Sequence, residues 1–192
     1  MQKYLAQPQY LIVYYPPRPQ LDDQLKVLGM TSIGERLVQQ FHRIRSTRGL
    51  IERFVSHVPR LAKGPTRIVD SRQWSTLDAP SDTPVLFFSA SWKMHYQRLP
   101  PKLNNYRLQL GVIVKVIPLG QVLSGKGGVA LRTSAWEGRC LFDAFGGRYF
   151  SVDDWLARDA MRLRQGVVEA QSSCATKLAN EFPSVAGMSR KH

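Results

Sequence analysis

Tyr106 to Ile117 alternates without a slip. Tyr106, Leu108, Leu110, Val112, Val114 and Val116 fall on one side, and Arg107, Gln109, Gly111, Ile113, Lys115 and Ile117 on the other. A period of two predicts a strand with one face on a core and the other turned outward. Shorter runs of similar character are Gln9–Tyr15, stopped by Pro16 and Pro17, then Thr66–Val69, Pro84–Ser89, Val129–Thr133 and Arg139–Phe150. Within the last, Phe145-Gly146-Gly147 predicts a hairpin connection.

Near both ends the period becomes helical. Ser32 with Glu35 makes a capping box ahead of Ile33, Leu37, Phe41 and Ile44. After an interruption at Ser46–Gly49, a second apolar face follows in Leu50, Ile51, Phe54, Val58 and Leu61, with Pro59 ending or kinking it. Ser151 and Asp154 give another capping pair, beyond which Leu156, Ala160, Leu163, Val167, Ala170, Cys174, Leu178 and Phe182 recur at steps of three and four. That stripe predicts one long amphipathic helix stopped by Pro183, or two collinear pieces if Gly166 breaks it. The order of elements predicts an α+β fold: a mainly antiparallel sheet (66–150) packed against a long C-terminal helix (151–182), with an N-terminal helical pair (32–62). All of it is expected in a single domain, 1–183, followed by a flexible tail, 184–192.

Composition narrows the picture. The chain has 192 residues, 43% of them hydrophobic, enough for a real core and too many for general disorder. No apolar run approaches the roughly 20 residues a bilayer requires, and Met1 to Pro8 does not read as a secretory signal. A cytoplasmic location with no membrane contact is therefore expected. Cys140 and Cys174, with His42 and His57, lack metal-ligand spacing, so no metal or cofactor is expected and both thiols are read as buried packing residues.

Charge supplies the functional expectation. Lysine and arginine total 27 against 14 acidic residues, a net charge of +13. The excess is segregated: Arg36 to Arg72 carries nine basic residues against Glu52 and Asp70, and Pro84 to Trp136 carries seven with no acid. A surface facing phosphates is weakened by each carboxylate, so this segregation predicts a non-catalytic nucleic-acid-binding protein, DNA or RNA undecided. Arg36, Arg43, Arg53 and Arg60 flank the helical pair, an arrangement compatible with a helix-turn-helix. Trp92, Lys93, Tyr96, Arg98, Lys102 and Arg107 interleave stacking rings with cations between two strands. Gly120 to Lys126 meets seven positions of a phosphate loop, but Gly127 stands where a hydroxyl is needed, which leaves Lys126 on a turn beside a backbone phosphate. Two alternatives use the same residues: a nuclease drawing on His95 or Asp143, and a module gripping an acidic protein or a nucleoprotein complex.

Overall fold

Two long strands form the centre of the structure, a computed structural model. It describes residues 10–14, 20–21, 36–61 apart from 38, 42, 45 and 60, and then 66–70, 80–97, 105–124 and 134–183. Strand β1 is Tyr10–Tyr14, β2 is Gln20–Leu21, β3 is Thr66–Asp70, β4 is Pro84–Tyr96 and β5 is Asn105–Pro118. Strands β4 and β5 run antiparallel from Pro84 opposite Pro118 to Tyr96 opposite Tyr106. Strand β6, Trp136–Asp143, and the short β7, Phe150–Ser151, both pair antiparallel with β5. The sheet order is β3-β1-β4-β5-β6.

Residues 36–43 are helical where described. Helix α1 is Ser46–His57, α2 is the short Leu119–Ser124 and α3 is the long Val152–Glu181. The fold is thus an α+β one, with a mainly antiparallel sheet against a long C-terminal helix and helical residues N-terminal to it. Its parallel part is β1, which lies parallel to both β3 and β4, and β2, which lies parallel to β4.

Alternation decides which side chains meet. On one face of the sheet, Leu86, Phe88, Trp92, Leu108, Leu110, Val112 and Val114 are buried. Against them pack Leu50, Ile51 and Phe54 of α1, and Leu163, Val167, Ala170, Cys174 and Leu178 of α3. Ring contacts hold the layers together, Phe41 with Trp92 at 5.3 Å and Phe54 with Phe88 at 5.3 Å. Helix α3 starts as its sequence predicts, with Ser151 Oγ accepting from the Asp154 amide and Asp154 accepting from the Ser151 amide.

Four local expectations are corrected. The strand predicted to stop at Ser89 continues to Tyr96, so Trp92 to Tyr96 lie in β4 and not in a loop. Phe145-Gly146-Gly147 is not a hairpin: it is a turn with left-handed φ of 54°, 63° and 77°, after which β7 returns to β5. Helix α3 does not break at Gly166, which is buried because a Cβ there would lie 3.0 Å from the Phe145 ring and 3.3 Å from Leu108. Its interruption is at Ala157 to Ala160, where Arg158, Asp159 and Ala160 have left-handed φ of 51°, 57° and 57°. Fourthly, Cys140 and Cys174 are buried but are not thiols, for they form a disulfide. The expected strand 129–133 and tail 184–192 lie outside the described residues.

Candidate functional site

The face of β4, β5 and β6 turned away from the helices carries three rows of side chains. Strand β4 contributes Ser89, Ser91, Lys93 and His95, and β5 contributes Arg107, Gln109, Gly111, Ile113 and Lys115. From β6 come Glu137, Arg139, Leu141 and Asp143. Antiparallel pairing sets Lys93 opposite Gln109, Gln109 opposite Asp143, and Lys115 opposite Glu137.

At one end of this face a polar ladder crosses all three strands. His95 Nε2 lies 3.0 Å from Gln109 Oε1, and Gln109 Nε2 donates to Asp143 Oδ1 at 3.0 Å. A carboxylate only accepts, so the glutamine amide must face Asp143 and its carbonyl must face His95, which makes Nε2 the protonated nitrogen of that ring. Arg107 adds an ion pair to Asp143 Oδ2 at 3.8 Å, and its guanidinium lies 5.8 Å from the centre of the Tyr149 ring. At the other end, Glu137 bridges Lys115 at 3.0 Å and Arg139 at 2.5 Å. The hydrogen bonds from Arg139 and then Lys115 hold the Glu137 carboxyl below its ordinary value.

Between these ends the rows are Ser91–Gly111–Leu141 and Ser89–Ile113–Arg139, in which two large apolar side chains are exposed. Leu141 is 68% exposed and Ile113 38% exposed. Beside Leu141 the space over Gly111 is taken by its neighbours, since a Cβ there would meet Ser91 Oγ at 2.9 Å and Leu141 Cδ1 at 3.7 Å. Neither Leu141 nor Ile113 is legible as exposed from composition; their phase against the alternation of Tyr106–Ile117 is the signal that places Ile113 outward.

The residues expected to bind nucleic acid do not converge. Trp92 and Tyr96 point into the core and are 1% and 7% exposed, so neither ring is available to stack on a base. Lys93 and Arg107 project from the outer face, whereas Arg36, Arg43 and Arg53 belong to helical segments packed on the inner face. Arg107 and Lys115 pair with Asp143 and Glu137, carboxylates that lie far along the chain and next door in the sheet. Arg60, Arg98, Lys102 and Lys126 lie outside the described residues. The expectation of one cationic face, and with it the nucleic-acid binder and the basic grip on an acidic or nucleoprotein partner, is corrected. The nuclease is corrected as well: Gln109 stands between His95 and Asp143, hydrogen-bonded to both, so the two side chains do not meet.

No family model matches the chain, and no curated protein matches it. Among solved structures, a neuraminyllactose-binding hemagglutinin homolog from Helicobacter pylori is 10% identical over 98% of this chain and 90% of that one, with a TM-score of 0.43. Rare lipoprotein B from Shewanella oneidensis is 19% identical over 90% of this chain and 92% of that one, with a TM-score of 0.40. A lipoprotein from Caulobacter crescentus is 16% identical over 71% of this chain and 77% of that one, with a TM-score of 0.32. Two of the three are described as lipoproteins, and none as binding nucleic acid. Among the described residues no helix is long and apolar enough to cross a membrane. The cytoplasmic expectation also falls, because the Cys140–Cys174 disulfide is a bond of oxidising compartments.

Proposed function

We propose that the chain is a non-catalytic docking domain of an oxidising compartment, and that it holds a protein partner against the outer face of β4, β5 and β6. The exposure of Leu141 carries this reading. An isolated leucine on a surface is ordinary. Leu141, however, stands within a strand, near exposed Ile113 and opposite Gly111, with charge pairs at both ends of the face. An apolar centre inside a polar rim is the anatomy of a protein–protein interface, in which the centre supplies affinity and the rim supplies register. Because the rim contains Lys115, Arg139, Glu137, Arg107 and Asp143, the matching partner carries both signs of charge around an apolar projection. The disulfide supports the location, since it persists where thiols are not kept reduced.

The test is a photo-reactive residue placed at Leu141 in the full chain, in the cells that make it, with Thr176 on the exposed side of α3 as control. The expected result is one discrete adduct with a different protein from position 141 and none from position 176, weakened by Lys115→Glu. Equal labelling from both positions, an adduct with a second copy alone, or no adduct at 141 overturns the proposal.

A further inference from the structure

Away from the sheet face, Gln40, Arg43 and Ile44 and the side of α3 border a groove of about 280 Å³. Its floor is made by Val167 and Ala160, both buried, with Ile44 partly buried beside them and Val168 45% exposed at the side. Exposed Arg43 and Arg164 bring two guanidinium groups to the rim. Polar amides complete it, from Gln40 and from Gln171, which is only 4% exposed. The volume is just below the roughly 300–1,000 Å³ typical of drug-sized ligands, so the occupant is small.

We propose that this groove is a binding site for a small anionic amphiphile, an alkyl chain of about eight carbons ending in a carboxylate. Three properties exclude the neighbouring classes of ligand. An inorganic anion satisfies the arginines and leaves the valine and isoleucine floor wet, so most of the groove contributes nothing. A neutral alkane or alcohol fills the floor but desolvates two guanidiniums without giving them a partner. An alkyl cation meets like charge at the rim. A carboxylate takes parallel hydrogen bonds from an arginine fork while its chain lies on the apolar floor. Arg164 already pairs with Asp159 at 2.6 Å through one terminal nitrogen, and a guanidinium has five donors, so the pair orients Arg164 and leaves donors for a ligand. Among the described residues Arg43 has no ion-pair partner. The groove lies where α3 is interrupted, since Ala160 is both a wall residue and the last of the three left-handed residues. The apolar surface continues outward from Val168 to Met161, 41% exposed and seven residues earlier on the same side of the helix.

Calorimetric titration of the full, disulfide-bonded chain with hexanoate, heptanoate and octanoate below their aggregation limits tests the site. Binding is expected at one molecule per chain and to tighten about fourfold per added methylene, the burial value of a CH₂ group. Octanol and octyltrimethylammonium are expected to bind at least tenfold more weakly than octanoate, and inorganic phosphate not at all. The double variant Arg43→Gln/Arg164→Gln is expected to lose at least tenfold for octanoate and to keep octanol unchanged. Val168→Trp, at a half-exposed position where the ring fits without refolding the core, is expected to weaken both by filling the groove. Failure to bind octanoate, equal binding of octyltrimethylammonium, no dependence on chain length, or binding only to phosphatidylglycerol vesicles overturns the proposal. None of these outcomes touches Leu141, so the groove and the docking face succeed or fail separately.

Discussion

Cys140 in β6 and Cys174 in the second half of α3 are covalently joined, with their Cα atoms 5.5 Å apart, so the long helix is bonded to an outermost strand of the sheet order. The bond closes a span of 34 residues that contains the left-handed turns at Phe145 and at Arg158 to Ala160. Loop-closure entropy for a span of that length corresponds to roughly 3–4 kcal/mol of stability. Replacing both cysteines by alanine is therefore expected to lower the unfolding free energy by about that amount, read from the urea midpoint at an unchanged slope. Addition of a strong reductant to the native chain is expected to reproduce the shift, and to leave the alanine variant unaffected.

Gly138, two residues before Cys140, is a point of close approach between β6 and α3. A Cβ there would lie 2.5 Å from Trp136 Cη2 and 2.9 Å from Leu178 Cδ2. The indole cannot retreat freely, because it also packs edge-on against Phe182 at 4.9 Å. Overpacking of this kind costs about 1–3 kcal/mol. Gly138→Ala should lose stability within that range and Gly138→Val more, with chemical denaturation as the measurement.

Arg158 is exposed and left-handed, at φ 51° and ψ 54°. A side chain in that region costs roughly 1–2 kcal/mol, part of which glycine returns as lost unfolded-chain entropy. Arg158→Gly is expected to gain about 0.5–1 kcal/mol, visible as a rise of a few degrees in Tm. A fall in Tm would show that the arginine side chain holds the turn.

Acid sensitivity should centre on Glu137 and Asp154. Both carboxyls are lowered in the folded chain, Glu137 by Arg139 and then Lys115, and Asp154 chiefly by Ser151. A lowered folded pKa means that the unfolded chain binds the proton first as pH falls, so stability is complete above the ordinary carboxylate values of 4.5 and 3.8 and drains away below them. Glu137→Gln and Asp154→Asn are expected to flatten the pH dependence of the unfolding free energy between about pH 5 and pH 2, by lowering stability near neutrality and leaving it little changed near pH 2. Added salt should weaken the Glu137 contribution, since its partners are near the surface.

How much of this was legible in the chain depends on how far apart the interacting residues are. Local periods were enough for the alternation of Tyr106–Ile117, the stripe from Ala160 to Leu178 and the Ser151 cap, because each is a pattern of a few residues against water or core. Distance along the chain hid the rest. Arg107 and Lys115 sit in a block without acids, and only strand register brings Asp143 and Glu137 beside them. Cys140 and Cys174 each carry the signature of a buried small hydrophobe, and only packing of α3 on β6 turns two such residues into one bond. Gly166 reads the same whether it breaks a helix or lets one pass a ring closely, and the Phe145 ring decides it. By itself the sequence determined an amphipathic α+β chain with an outward row on its longest strand, since hydrophobic period acts residue by residue. Tertiary structure alone decided that Arg107 and Lys115 of this row stand beside Asp143 and Glu137 and that Arg43 and Arg164 share a groove, because both depend on which strand and which helix lie alongside.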